Sequence, residues 1–403
     1  MKEFAGKHFL LIVENNSVPF DKRVWREALA LKDSGAEVSV IAPIYETDKD
    51  KFEIVERVNI FRYNLRFSSG SKIGYIYEYF IAFVKTIFLF NKLLKKGKFD
   101  VVHVANPPDI FWPLALYCKI LRIKFIFDEH DLTPETLLSR FEISKEKAGI
   151  IYEILRLFQT LSYKYSDAII STNESYRKRA VESISKNKDK VFVVRNGPDT
   201  RKFKSVPVNE DLKKGKKYLF AYIGIMAVQD GVDYIVNAAN SLIKKKKFDD
   251  FIIYLIGSGS DTDRLKKMTA DFKLEEYIKF TGRIPDEPAL EILSTADICL
   301  SPDPFNPLND SSTMNKVMEF MSLSKPIVSF DLTEAKFSAQ DAAMYVKNNN
   351  VDAFAEGIMK LIIDKDCRIQ MGRAGKKRVD EVLSWQKQII YLINVYKYVL
   401  FKN

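Results

Sequence analysis

The chain has 403 residues, 47% of them hydrophobic, and carries a net charge of +10. At about 150 residues per domain that length fits two domains with full cores, and no low-complexity tract or short repeat period supports a disordered or solenoid chain. The basic excess points to nucleic acid, an anionic membrane surface or a phosphorylated ligand. Cys118, Cys299 and Cys367 lie far apart with no pair at metal-ligand spacing, the pattern of buried reduced thiols.

His8-Phe-Leu-Leu-Ile-Val13 is a near-continuous apolar run, as a strand covered on both faces requires. The polar loop Glu14–Asp21 leads into a helix from Lys22 to Ser34, stopped by Gly35. Glu37–Ala42 reads as the second strand and Ile54–Tyr63 as a third, partly exposed one. Lys72–Lys96 is a long helix dense in Tyr, Phe and Ile, with Lys85, Lys92, Lys95 and Lys96 toward its end. Glu78 and Lys85 interrupt it, so it does not qualify as a membrane span. With no leader-like segment before the first strand, the expected location is cytoplasmic, at most peripheral to a membrane. Further strands follow at Asp100–Val104, Lys124–Phe127, Ala168–Ser171 and Val191–Val194, with helices ending near Leu121 and spanning Ile150–Tyr165. Such alternation folds by right-handed β-α-β crossovers into one doubly wound parallel sheet.

After a charged hinge at Asn209–Lys217 the pattern restarts, with strands at Tyr218–Ile223, Phe251–Ile256, Ile278–Phe280, Ile298–Ser301 and Ile327–Phe330. Helices fall at Asp233–Lys244, Thr262–Asp271, Pro288–Leu293 and Asp352–Ile363. The expected architecture is two Rossmann-like α/β domains, residues 1–205 and 206–383, facing across a cleft. A C-terminal helix, 384–403, packs back on the first domain.

The stretch Ser301–Asp331 carries the most chemistry. It reads as the end of a buried strand, a Pro/Asn/Asp-rich loop, a helix beginning near Ser312, and the next strand after Lys325-Pro326. Ligands of open α/β sheets sit where such loops leave the carboxyl ends of the strands. A helix start here offers the N–H groups of Ser312, Thr313 and Met314 to an anionic phosphate. Two turns on, Glu319 lies near the same face and suits a pair of sugar hydroxyls. Phosphate and diol together describe a nucleotide.

At this point the chain resembles the retaining family 4 glycosyltransferases of GT-B fold, of the bacterial surface-polysaccharide type. The resemblance rests on Arg195-Asn-Gly-Pro-Asp199 with Phe203, on Tyr222-Ile-Gly-Ile-Met226 with Gln229-Asp-Gly-Val-Asp233, and on Ile256-Gly-Ser-Gly259. It continues through Phe280-Thr-Gly-Arg-Ile-Pro285, Asn309–Glu319, Lys325-Pro326 and Trp385, and covers nearly the whole chain. It implies transfer of a hexose or N-acetylhexosamine from a nucleotide diphosphate sugar to a glycan or lipid-linked glycan. The transfer is metal-independent, with no cofactor beyond the donor, and the departing phosphate oxygen takes the acceptor's proton. Glu319 matches the second carboxylate of the family's paired-glutamate motif, which grips the ribose. Gly224, Gln229, Gly257, Asn315 and Lys316 fall on donor-binding positions, and Arg283-Ile284 on the turn that reads the base. His130 matches the histidine beside the donor sugar and the attacking acceptor; Asn15, Asn16, Arg23 and Asp131 fall on the acceptor side.

Three departures stand out. The first glutamate of the motif falls on Ser311, so either Asp310, or Asn309 with backbone groups, takes the sugar contact. The arginine and lysine that clamp the pyrophosphate fall on Ile225 and Asp230. Charge builds on the leaving diphosphate, so something must replace that clamp. The helix start comes first, with Lys316, Arg283, Arg23 and Arg26 as further candidates. The first strand–helix loop also lacks the family's glycines. His103 and His8 read as structural. The basic aromatic helix 72–96 either packs on the sheet with its lysines exposed or docks on an anionic bilayer that presents a polyprenyl-diphosphate-linked acceptor. Nucleic acid is not expected, since the lysines are scattered and no recognition motif is present. A nucleotide-sugar epimerase on the same fold and an inactive nucleotide-binding subunit are the alternatives; a dinucleotide-dependent oxidoreductase lacks its glycine motif after the first strand.

Overall fold

In a computed structural model that describes residues 3–45, 50–65, 72–141, 143–184 and 188–401, the chain forms two parallel sheets, each with its own helices. The first unit comprises Met1–Arg195 with Ile389–Asn403, and the second Asn196–Gln388. Residues just after Arg195 join the second unit because its backbone captures them. The N–H of Trp385 donates to Pro198 O at 2.9 Å and that of Val206 to Ser294 Oγ at 3.1 Å.

The strands of the first unit are β1 (His8–Ile12), β2 (Glu37–Ile44), β3 (Phe52–Val55), β4 (Val58–Asn64), β5 (Val101–Ala105), β6 (Lys124–Glu129), β7 (Ala168–Ser171) and β8 (Val191–Val193). They are ordered β3-β4-β2-β1-β5-β6-β7-β8, all parallel except β3, which is antiparallel to β4. The expected third strand is therefore a hairpin. Glu56 and Arg57 both take positive φ (47° and 68°), the turn geometry that closes a two-residue hairpin. Phe52 lies opposite Phe61 with ring centroids 4.9 Å apart. The apolar alternation was legible there, but not the reversal hidden between two charged residues.

The second unit contains β9 (Tyr218–Ile223), β10 (Phe251–Ile256), β11 (Ile278–Gly282), β12 (Ile298–Ser301), β13 (Ile327–Phe330) and β14 (Ala343–Val346), ordered β11-β10-β9-β12-β13-β14 and all parallel. Strand order reverses between β1 and β5 in one sheet and between β9 and β12 in the other. Adjacent loops diverge at these points and leave a crevice at the carboxyl ends of the strands. The helices Thr133–Phe141, Glu174–Ile184 and Thr333–Ala339 lie in crossovers, and Lys365–Arg378 follows the last strand.

Candidate functional site

The loops at the switch point of the second unit are held together by backbone. Gly231, after β9, has φ of 65°, and a Cβ there would lie 2.4 Å from Pro302 O in the loop after β12, so only glycine permits this approach. Gly257, after β10, has φ of 122° and would place a Cβ 2.0 Å from Gly224 O. Its N–H donates to Gly282 O at 3.0 Å, which draws the Gly282-Arg283-Ile284 turn onto the same edge. Asn309 is buried and donates from Nδ2 to Gln229 O and to Pro304 O, both at 2.9 Å. Gly224, Gln229, Gly257, Arg283 and Ile284 thus gather around the ends of β9, β10 and β11.

The helix expected from Ser312 begins later. Pro307–Ser311 forms one short turn of its own, capped by the Asn306 side chain, which accepts the Asn309 N–H at 2.9 Å. The Ser312 N–H donates to Asn309 O at 3.2 Å and its hydroxyl to Leu308 O at 2.7 Å. These bonds close the turn, and Met314 becomes the N-cap of the helix Asn315–Ser322. The positive dipole end therefore lies at Asn315 and Lys316, not at Ser312–Met314. Asp310 is also redirected. Its carboxylate accepts the Thr333 N–H at 2.8 Å and the Thr333 hydroxyl at 3.0 Å, holding the start of the helix Thr333–Ala339. Both of its oxygens are engaged there. Glu319 is half-buried while Val317, Met318, Phe320 and Met321 around it are core. It shares its helical face with Asn315 and Lys316, four and three residues back.

Lys316 is buried beside the position where the clamp lysine is missing. Its Nζ donates to Asp303 Oδ1 at 2.6 Å and sits 4.9 Å from the centre of the Tyr222 ring. Burial opposes its charge, but Asp303, Tyr222 and Asp230 outweigh that and raise its pKa. Asp230 accepts the Ala227 N–H at 3.0 Å and is pushed up to about 6, chiefly by burial, with Lys316 opposing. An acid, Asp230, thus stands on the loop after β9, and the nearby cation, Lys316, comes from the helix after β12.

The first unit carries a second cluster at its own switch point. Asp128, at the end of β6, is fully buried and accepts Arg23 Nη2 at 2.9 Å and Arg23 Nε at 3.2 Å. His130 Nε2 lies 2.6 Å from Asp128 Oδ2. Burial opposes the imidazolium, but Asp128 prevails and raises the His130 pKa. Arg23 is not an open phosphate ligand. Only 4% exposed, it is committed to Asp128 and to Val194 O (3.1 Å), and it bridges Asp128 to Glu27 (3.2 Å). Glu27, His103 and Asp128 have the spacing of a metal site, and the Arg23 guanidinium lies between the two carboxylates, 3.2 Å from Glu27 and 2.9 Å from Asp128. Glu129 points to the other side of the strand, as alternation demands. There it accepts Gln159 Nε2 at 3.0 Å and the Tyr163 hydroxyl, and burial pushes it up to about 8.

Asn106, after β5, ties the His130 turn in place. Its Oδ1 accepts the N–H groups of His130 (2.6 Å) and Asp131 (3.1 Å), and its Nδ2 donates to Asp109 Oδ1 (2.9 Å) and Asp131 O (2.8 Å). The sequence marked this stretch only as a loop, Asn106-Pro-Pro-Asp109. Asn15 is exposed and its carbonyl accepts the Tyr45 hydroxyl at 2.9 Å, while Asn16 Oδ1 accepts the Ser17 N–H at 3.1 Å. Asp21 caps the helix Lys22–Asp33. His8 is structural, 3.0 Å from Ser39 Oγ, and His103 lies inside β5 as expected.

Two doubly wound sheets with polar loops at each switch point define the GT-B class of glycosyltransferase. The model of Glycosyltransferase Family 4 matches residues 22–202, and that of Glycosyl transferases group 1 matches residues 217–364. An uncharacterised glycosyltransferase of Methanocaldococcus jannaschii is 24% identical over 270 residues, 66% of each chain. The UDP-Gal:alpha-D-GlcNAc-diphosphoundecaprenol alpha-1,3-galactosyltransferase of Escherichia coli is 22% identical over 320 residues, 74% of this chain and 78% of that one. In fold, the sucrose-phosphate synthase of Thermosynechococcus elongatus superposes with a TM-score of 0.78 at 15% identity, covering 98% of this chain and 100% of its own. Anabaena HepE in complex with UDP superposes at 0.68 with 13% identity, covering 97% and 99%. Its two halves each match a glycosyltransferase family model, and the chain is a glycosyltransferase of GT-B fold.

Proposed function

We propose that this enzyme moves a hexose or N-acetylhexosamine from a nucleotide diphosphate sugar to a glycan or polyprenyl-diphosphate-linked acceptor, with retention of configuration and without a metal. The observation that carries the donor half is the helix Asn315–Ser322 at the switch point, with its amides and Glu319 on one half-exposed face. Glu319 takes the ribose hydroxyls, the helix start and Lys316 take the diphosphate, and Arg283-Ile284 take the base. Lys316 supplies the cation that position 230 lacks, held ready by Asp303. On the acceptor side, His130 is the group placed to contact reacting oxygens, with Asn15, Asn16 and Asp131 on neighbouring loops. A panel of nucleotide sugars, with and without a polyprenyl-diphosphate-linked glycan, tests this when followed by product analysis. A Glu319→Ala variant should lose about 10- to 100-fold in nucleotide affinity, the worth of charge-assisted hydrogen bonds to a diol. Unchanged affinity and turnover would sink the assignment. Interconversion of the free donor without acceptor would mark an epimerase, and nucleotide binding without turnover an inactive subunit.

The lipid-linked acceptor is favoured by one surface. On the helix Lys72–Leu94, Tyr77, Phe80, Val84 and Phe88 are 66%, 63%, 47% and 70% exposed, an apolar stripe along one side, with Lys85 and Lys92 on the same helix. Such a surface suits the interface of an anionic bilayer. Among the described residues no helix is long and apolar enough to cross a membrane. Vesicles containing phosphatidylglycerol should bind the protein at low salt, and Phe80→Ser with Phe88→Ser should abolish that binding; sedimentation indifferent to lipid would remove this part of the reading.

A further inference from the structure

We propose that Arg23, His103 and Tyr396 are positioning residues for His130, acting on it through the buried carboxylate of Asp128. This rests on the acceptor-side reading of His130 and extends it from the loop after β6 to the C-terminal helix Trp385–Phe401.

A fully buried carboxylate is stable as an anion only if donors converge on it. At Asp128 three nitrogens are in hydrogen-bond contact and a fourth, that of His103, lies at ion-pair distance. Arg23 provides two as a planar fork, at 2.9 and 3.2 Å, and a third bond from Arg23 to Val194 O fixes the plane of that fork. His130 Nε2 is at 2.6 Å and His103 Nε2 at 3.4 Å, both to Oδ2. His103 Nε2 also faces Glu27 Oε2 at 3.8 Å, so two carboxylates look at this one ring nitrogen. The proton of the His103 ring therefore belongs on Nε2, and Nδ1 is left as an acceptor. The Tyr396 hydroxyl meets it at 2.8 Å and donates. Tyr396 is itself fully buried, its ring 4.7 Å from that of Phe9 and 6.1 Å from that of Phe4. The C-terminal helix thus selects the His103 tautomer, His103 and Arg23 fix the Asp128 oxygens, and Asp128 holds His130 by Nε2. Nδ1 of His130 is the ring nitrogen left for a ligand. The other charged groups around the histidine are Glu27 behind Arg23, Asp21 at the cap of the same helix, and Asp131 after His130.

The chain has only 3 histidines, so imidazole 15N–1H spectra of the whole protein can resolve each one. The wild type should show His103 as the Nε2–H tautomer. Tyr396→Phe keeps the ring packing and should convert that signal to a mixture of tautomers. Arg23→Gln should move the His130 titration midpoint upward, because the guanidinium that repels its imidazolium is gone. Arg23→Lys, which keeps the charge but not the fork, should leave the midpoint near the wild-type value. In turnover, kcat should fall on the order of 100-fold in Arg23→Gln at unchanged donor KM, the cost of a misplaced contact group, with part regained in Arg23→Lys. An unaltered His103 tautomer in folded Tyr396→Phe would overturn the proposal, as would a fixed His130 midpoint in Arg23→Gln. Full turnover in His130→Ala would instead overturn the reading on which it rests, whatever the spectra show.

Discussion

Replacing Asp230 by Asn removes a charge of the donor-side cluster for which burial outweighs the favourable contacts. The folded carboxyl is held at about 6 against an ordinary value of 3.8, mainly by burial. Below pH ~4 the group is protonated in both folded and unfolded chains and contributes nothing to the balance. Between pH ~4 and ~6 the unfolded chain releases its proton first, so stability falls as pH rises; above pH ~6 the loss is complete. The shift sets a ceiling of about 3 kcal/mol, and solvent screening at this partly exposed position brings the working figure to roughly half. Asn keeps the shape and the acceptor for the Ala227 N–H. Asp230→Asn should therefore match the wild type near pH ~3 and exceed it by about 1.5–3 kcal/mol at pH ~8. The assay is urea denaturation at several pH values with Trp25 and Trp112 changed to Phe, leaving Trp385 to report on the second unit. On the proposed donor geometry, nucleoside diphosphate affinity should also weaken in the wild type, but not in Asp230→Asn, as pH rises through 6. A stability difference that is the same at every pH would refute the reasoning, because it would mean that charge burial is not what distinguishes the two side chains.

Lys316→Met should cost about 3–5 kcal/mol, since it strands the buried carboxylate of Asp303, and adding Asp303→Asn should restore most of that loss in thermal melts. Asn106→Ala removes the acceptor for the amides of His130 and Asp131. It should lower kcat more than donor affinity, which steady-state kinetics alongside nucleotide titration can separate, and cost about 1–3 kcal/mol of stability.

Much of the fold was legible because parallel strands covered on both faces leave continuous apolar runs, as His8–Val13 and Phe251–Ile256 do. Elements went unread where that signal is short or mixed. Strand β14 has only 4 residues, three of them only partly buried, and the hairpin at Glu56–Arg57 interrupts a run that otherwise alternates without a break. In the site, the residue types were readable but not their partners. Asp310 stands one residue from the missing glutamate in sequence, yet Thr333, 23 residues on, claims it. Arg23 had the charge of a phosphate ligand, and Asp128, 105 residues away, turns it inward.

The sequence by itself determined two doubly wound sheets, the loops at the carboxyl ends of their strands, and the placing of Glu319 on a helix after one such loop and of His130 on another. These follow from local periodicity and from spacing within single elements. Only the tertiary structure decided which partner each charge meets: Asp303 for Lys316, Asp128 for Arg23, Thr333 for Asp310. A buried charge must be met by whatever distant group the packing brings to it, and that pairing leaves no mark on neighbouring residues.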